Sequence, residues 1–553
     1  MDWLRGYRRA WLRPDVLASL TIWALVVPQA IAYAQIAGLP PQSGLFAAIA
    51  GLLAYAVLGS CRQMVVSPTS STAAISAALV APAAAGDARS FAGLSAVLAM
   101  LVGATLIGLA ALKMGFVSRF IAAGVQTGFM FGLGLTIIVG QVPKLLGVPD
   151  SGGNFVPKLG HLVGHLGDVH PVTAAVGLGA LAVLLVLRRF VPLAPAALIV
   201  VVAGVLAVAF GHLDHHGVAV LGRVDGAVPV PAVPHVPFDA VVTLVPGAMA
   251  IAVVGYAETA TVGEAMADRH GEDVRPNREL TAVGAGNILA GFLQGFIVGG
   301  GASQTAANDR AGARTPLVSL VVAGLTVLTA VALLPLFRDL PQAVLGAIVI
   351  SAVLGFLNVA ALRRIARLRR DSFVIALAAM AGVLVLGVLP GLLTAVSASI
   401  LLLLSRIARP TVGPLGRVRG TAIWVRADAP TPDLVTEPGL LVYRLNAALV
   451  FANAKLLRDG VRSAVAAADP PVRVVLVDMS LSTDLDVETV NVLDKLVTDL
   501  AASGARLWLG GVHTPARAVL DRSGLTARIG ADHLYPSVGA GAGAYPGAVS
   551  REP

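Results

Sequence analysis

Glu258 lies well inside an apolar run, which reads VVTLVPGAMAIAVVGYAETATVGEAM from Val241 to Met266. A carboxylate is costly in hydrocarbon, so a membrane helix that carries one turns it toward a partner, a cavity or a transport path. The alternative is a glutamate buried among hydroxyls such as Thr259 or Thr261. About forty residues downstream stands Val298-Gly299-Gly300-Gly301-Ala302-Ser303-Gln304-Thr305, a small-residue break that ends in hydroxyl and amide groups. A second break, Pro68-Thr69-Ser70-Ser71, comes early in the chain. Helices starting at such breaks have unpaired N–H groups, and two positive helix ends that converge make an anion site. Gln29 follows Pro28, which frees backbone groups, so its amide has two uses: a donor to substrate or a helix–helix hydrogen bond. Tyr33, one helical turn later, shares that wall.

The expected substrate-binding set is therefore Gln29, Tyr33, Thr69, Ser70, Ser71, Ala302, Ser303, Gln304 and Thr305, with Glu258 as the cation-coupling group. Gln304 is neutral, so the carboxylate has no evident cation on neighbouring segments, and an arriving anion adds to the cost of its charge. Two remedies are open: Glu258 takes a proton, or a sodium ion sits among oxygens near Glu258, Gly301 and Ser303. The proton is favoured, because one carboxylate with weak ligands has little to hold a metal. No nucleophile–base pair or metal cluster is evident, so an enzyme is not expected, and no cofactor. His161 and His165 have no residues nearby that complete a metal site and read as outer loop, as do His212, His215 and His216. Asn287, Gln294 and Asn358 read as interhelical bonds.

The elements that position these groups are membrane helices. Of 553 residues 56% are hydrophobic and 13% charged, with a mean hydropathy of +0.82, too little polar surface for a soluble chain. One cysteine, Cys61, excludes an internal disulfide. Apolar segments are predicted near 15–37, 42–60, 68–85, 91–111, 117–140, 170–187 and 193–210, then near 241–265, 279–297, 302–312, 316–335, 341–358, 371–389 and 391–407. The third of each seven is short and follows a Gly/Ser/Pro break, which is the pattern of an inverted-repeat transporter with a midplane site. Seven is odd, so the second half enters from the opposite side. The formal charge of +9 arises in the first 409 residues, which hold twenty-six basic and seventeen acidic groups. With the N-terminus inside, twenty-one of those basic residues fall in inner loops and five in outer ones. Charge thus reports orientation, not nucleic-acid binding: a multi-pass protein of the cell membrane with both termini cytoplasmic.

After Pro410 the texture becomes soluble α/β. Strands are predicted at Ala422–Val425, Leu440–Arg444, Val472–Asp478 and Arg506–Val512, and helices at Ala454–Ala467, Val487–Ser503 and Pro515–Ser523. Residues 539–553 are rich in Gly, Ala and Pro and read as a disordered tail.

Pro28-Gln29-Ala30-Ile31-Ala32-Tyr33-Ala34, Ala37-Gly38-Leu39-Pro40-Pro41, Gly44-Leu45-Phe46, Gly59-Ser60-Cys61-Arg62 and Val66-Ser67-Pro68 together resemble the sulfate permease (SulP) anion transporters. Further on, Gly115-Phe116-Val117-Ser118, Val254-Gly255-Tyr256-Ala257-Glu258, Asn308 with Ala311-Gly312-Ala313-Arg314-Thr315, and Leu340-Pro341 with Ala343-Val344-Leu345 follow in order. Asp478-Met479-Ser480, Thr483-Asp484-Leu485-Asp486 and Arg522-Ser523-Gly524-Leu525 are similar to a STAS domain. The resemblance implies core and gate subdomains, elevator-like movement of the core, and a homodimer. Many members carry an arginine where Gln304 stands, and the regulatory serine of STAS-like antagonists is replaced within Asp486-Val487-Glu488-Thr489.

The expectation is an α-helical polytopic membrane protein of fourteen segments in a 7+7 inverted repeat, with core and gate, plus a cytoplasmic α/β STAS domain. The transmembrane domain takes 1–409 (repeats about 14–210 and 241–408) and the STAS domain 410–538. Its expected activity is secondary active transport of a small anion (sulfate-like, bicarbonate or a small dicarboxylate) by H⁺ symport. The partners are that anion, H⁺ or Na⁺, the lipid bilayer and a second copy of the chain, with no nucleic acid. A Na⁺-coupled bicarbonate-type symporter, an anion channel or exchanger, and a nucleobase permease are the other readings. A channel needs no coupling acid, and the STAS-like motifs argue against the permease.

Overall fold

The computed structural model describes residues 3, 7–84, 87–116, 123–150, 153–191, 195–222, 226–428 and 433–546. Val117 and Ser118 of the quoted motifs lie outside these. Two compact units emerge, residues 1–400 and 401–553.

The first unit is helical and reads twice. α1 (Leu12–Ile36) and α2 (Pro41–Leu58) lead to a two-residue strand, β1 (Val66–Ser67), and the short α3 (Ser70–Ala84). Then come α4 (Ala88–Ala111), α5 (Ala123–Leu146), a loop helix α6 (Phe155–Gly164), α7 (Pro171–Phe190) and α8 (Ala196–Gly211). The second pass repeats the order: α9 (Phe238–His270), α10 (Pro276–Phe292), β2 (Gly299–Gly300) and the shorter α11 (Ala302–Arg310). It continues through α12 (Leu317–Leu328), α13 (Gln342–Val353), a short basic α14 (Val359–Leu368), α15 (Arg370–Leu386) and α16 (Val388–Ala408). Each strand precedes the third helix of its repeat, and each extra short helix follows the fifth. All fourteen expected segments have a helix, and the short third ones begin at the two breaks.

The repeats interlock into two helix groups. In one, α2 packs on α1, α10 and α12, and α4 packs on α9 and α10. In the other, α5 packs on α13 and α15, and α7 on α13. Membrane helices gain little from burying apolar surface against one another, so close backbone approach matters. A methyl group on Gly103 of α4 would come 2.5 Å from the Gly284 carbonyl oxygen of α10, and one on Gly128 of α5 would overlap the Ala376 carbonyl of α15.

The second unit is a mixed sheet with helices on both faces. Its elements are β3 (Val412–Val418), β4 (Trp424–Arg426), β5 (Leu434–Val435), β6 (Leu440–Leu445), α17 (Ala454–Ala466) and β7 (Val474–Asp478). They are followed by α18 (Val487–Ala502), β8 (Arg506–Gly510), α19 (Thr514–Arg522), α20 (Leu525–Ile529), β9 (Leu534–Tyr535) and α21 (Val538–Gly543). The order is β4-β3-β6-β7-β8-β9, with β5 also on β3, and β6 through β9 are parallel. Two differences from expectation have local causes. β3 is not among the predicted strands, since Gly413, Pro414 and Gly416 give it no strand pattern, yet it pairs antiparallel with β6. Of the tail expected to be disordered, residues 539–546 are ordered: α21 begins at Val538, and Val538, Ala542 and Tyr545 pack on Trp508 and Leu476; small residues here permit close packing on the sheet. Thr489 is buried at the start of α18, where its N–H bonds to Asp486 Oδ1 at 2.7 Å, so its hydroxyl is not presented to a kinase.

Candidate functional site

The two breaks meet. β1 and β2 pair antiparallel, Val66 opposite Gly300 and Ser67 opposite Gly299, and Gly301 N–H reaches the Val65 carbonyl at 3.0 Å. Each strand runs directly into a short helix, so α3 and α11 start at the same place and depart in opposite directions. The ladder is seated on α9: Thr259 Oγ1 accepts the Gly300 N–H at 2.9 Å and donates to the Gly255 carbonyl at 2.9 Å. A side chain at Gly300 would strike Met64 and Thr259, which is why this strand is glycine.

At the start of α3, Thr69 and Thr72 cap one another: Thr72 N–H bonds Thr69 Oγ1 at 3.2 Å and Thr69 N–H bonds Thr72 Oγ1 at 3.1 Å. The N–H groups of Ser70 and Ser71 have no acceptor among the described residues. Gly301 has no side chain to cap α11, which leaves the N–H groups of Ala302 and Ser303 in the same condition.

Glu258 is half-buried on α9, and Ser71 Oγ donates to its Oε2 at 2.8 Å. The holding hydroxyl thus comes from the other repeat, not from Thr259 or Thr261; the Thr261 hydroxyl bonds its own helix at Ala257. Among the described residues Glu258 has no ion-pair partner. Tyr33 is buried with Ser70 and Glu258 as neighbours.

Gln29 makes the helix–helix hydrogen bond and also borders a cavity. Its amide oxygen accepts from Gln304 Nε2 at 2.8 Å, and Gln304 Oε1 accepts from Ser67 Oγ at 2.5 Å. The Gln29 amide nitrogen has no protein partner among the described residues, and the side chain lines an open cavity of about 300 Å³. Ser303 lines it too, and Ala302 and Ser303 are exposed. α1 and α11 form one side of the cavity, α7, α8 and α13 the other.

Not every expected residue joins this centre. Thr305 is buried and accepts the Val65 N–H at 3.1 Å, so it holds the ladder. The Gly301 carbonyl accepts the Thr305 N–H at 2.8 Å and closes the first turn of α11. Asn287 does bridge backbone groups, between Val283 and Val298. Asn358 instead caps α14 through Ala361 N–H at 2.9 Å, and Gln294 bonds the Ala232 carbonyl at 3.0 Å. His212, Asp214 and His215 bring ligand atoms within 4.8 Å of one another on an exposed turn after α8.

Sequence reasoning missed three supports. Ser67 holds Gln304. Glu279 of α10 is fully buried and receives Tyr55 OH at 2.6 Å, Ser60 Oγ at 2.7 Å and Ser60 N–H at 2.7 Å. Asp15 of α1 caps the approach to α12 through Arg314 N–H at 2.7 Å and the Thr315 hydroxyl at 2.6 Å. The quoted family motifs contain Ser60, Ser67, Arg314 and Thr315, the available signal.

Chemically, the centre offers backbone N–H groups from two helix ends, an amide and hydroxyls, beside a carboxylate with no cation among the described residues. Such a set recognises an anion. Comparison with known proteins gives the same class. Residues 12–379 match the sulfate permease family and residues 431–541 the STAS domain. A probable sulfate transporter of Mycobacterium tuberculosis is 39% identical over 96% of this chain and 95% of its own. Sulfate transporter 3.2 of Arabidopsis thaliana is 26% identical over 97% and 86%. Among solved structures, the murine solute carrier 26 family member A9 anion transporter in the inward-facing state superposes with a TM-score of 0.89, at 22% identity, over 98% of this chain and 92% of that one. The transmembrane domain of the cyanobacterial bicarbonate transporter BicA gives 0.63 at 21% identity, over 70% and 98%. With its two interlocked repeats and its STAS domain, the chain belongs to the sulfate permease family of anion transporters.

Proposed function

We propose that the chain is a secondary active transporter that carries sulfate, or an oxyanion close to it, across the cell membrane together with a proton taken up by Glu258. One observation carries the reading: Glu258 meets Ser71 at the start of α3, beside the α11 end, with no cation beside it among the described residues. An anion at the two helix ends and an ionised Glu258 would repel one another in low dielectric, at a cost on the order of several kcal/mol. Neutralising Glu258 removes that cost, so proton and anion each favour the other's binding, the thermodynamic requirement for symport. The Gly301 carbonyl is engaged in α11 and Ser303 faces the cavity, which favours a proton over a sodium ion.

The cavity lies between the two helix groups, and their relative movement would carry the α3–α11 centre from one side to the other, as in an elevator. The arginine bias of the inner loops supports a cytoplasmic position for both termini and for the cavity mouth at Arg188 and Arg310. The relatives' names favour sulfate over bicarbonate or a dicarboxylate, and a homodimer is the assembly proposed. Uptake of labelled sulfate, bicarbonate and fumarate into proteoliposomes, each with and without H⁺ and Na⁺ gradients, tests the reading. It predicts sulfate uptake accelerated by an inward H⁺ gradient. Acceleration by Na⁺ alone, or passive flux without coupling, would replace the proton symporter by the sodium or channel reading.

A further inference from the structure

Among the described residues, the cavity that reaches Gln29 and Ser303 has two charged residues in its lining, Arg188 and Arg310, and no carboxylate. They come from opposite sides. On α11, Ser303, Ala306, Ala307 and Arg310 all line the cavity, the spacing of one helical face, so Arg310 lies two turns beyond Ser303 on the same wall. The alanines keep that wall open. Arg188 belongs to α7 of the other helix group, and its Nη1 donates to the Ser351 carbonyl of α13 at 2.9 Å, which orients the guanidinium.

Neither arginine has a counter-charge among the described residues. Arg310 Nε bonds the Ala306 carbonyl of its own helix at 3.1 Å. The adjacent Asp309 is engaged by Arg269 Nη1 at 2.6 Å and His270 Nε2 at 2.7 Å. Each guanidinium therefore keeps N–H donors free, in a cleft of low-dielectric walls that focuses their field.

Resting on the reading of the chain as an anion carrier, we infer that Arg188 and Arg310 form a second anion site at the mouth of the cavity, which takes up or releases a small oxyanion on its way to or from Gln29 and Ser303. The tetrahedral oxygens of sulfate suit two guanidinium forks approaching from facing walls. Because one arginine sits on each helix group, an oxyanion between them also offsets the repulsion that closure of the cavity would create. The site serves the face onto which the cavity opens, and that asymmetry makes it measurable.

The test uses membrane vesicles of both orientations made from cells expressing the full chain, with labelled sulfate as the probe. Inside-out vesicles report the half-saturation concentration at the cytoplasmic face, and right-side-out vesicles report that at the outer face. Arg310→Gln should raise the cytoplasmic value about fivefold, and Arg188→Gln with Arg310→Gln about tenfold or more, with the outer value within about twofold of wild type. Arg188 also holds the Ser351 carbonyl, so the Arg310 variant, which gives up only a bond within its own helix, separates binding from folding. An unchanged cytoplasmic value in Arg310→Gln, or an equal rise at both faces, overturns the site. Wild-type vesicles that take up no sulfate in either orientation would instead overturn the transport reading, and this site with it.

Discussion

At the residue scale a few polar atoms hold the candidate centre together. Ser71 is the hydroxyl that holds Glu258, so Ser71→Ala leaves a half-buried carboxylate without its donor. Sulfate uptake at a subsaturating concentration should fall about tenfold, since an unmade hydrogen bond to a charged group is worth roughly 1–3 kcal/mol. Uptake unaltered at normal expression would detach Ser71 from the transport step. Ser303 faces the cavity at the open end of α11, and a bulky Ser303→Trp should abolish uptake while the protein still elutes as wild type in gel filtration. The placement of Glu258 and Ser303 beside the two breaks was legible because a lone acid in an apolar run and a glycine break are rare and costly. Thr305 was misplaced for a physical reason: a hydroxyl in the same turn can turn to either side of a short helix, and only the partner strand, through Val65 N–H, decides which.

At the scale of elements, the pairing of β1 with β2 converts two separate breaks into one site. Thr259→Val removes the acceptor for the Gly300 N–H and leaves the ladder fastened to α9 by packing alone. We expect a loss of thermal stability of about 1–2 kcal/mol, read as a lower Tm of the detergent-solubilised protein, with sulfate uptake reduced as well. The existence of the helices was readable from apolar length, and the inversion from the odd number of segments. A ladder of two residues per strand has no periodicity to read, and the contact of α9 with it spans some forty residues of sequence. In the second unit, α21 covers Trp508 and Leu476. A chain ending at Ser537 exposes that apolar face and should lose at least about 2 kcal/mol, several degrees in Tm. Composition alone misread this stretch, because alternating glycines make a poor helix in isolation and a closely fitting one against a sheet.

At the scale of the whole molecule, the helical unit and the α/β unit each have their own core. Residues 410–546, which include β3 and α21, should fold alone with a cooperative thermal transition; a fragment beginning at 420 lacks β3 and should not. Differential scanning calorimetry of the two fragments distinguishes them. The proposed transport chemistry lies in the other unit, where anion and proton would be linked through a single carboxylate. The decisive measurement is labelled sulfate uptake into proteoliposomes, with and without an inward H⁺ gradient, by wild type and by Glu258→Gln, which imitates the protonated side chain. The account predicts that the variant still exchanges sulfate across the bilayer but gains nothing from the gradient, while wild type concentrates sulfate when it is imposed. A Glu258→Gln variant that concentrates sulfate with undiminished dependence on the gradient would contradict it.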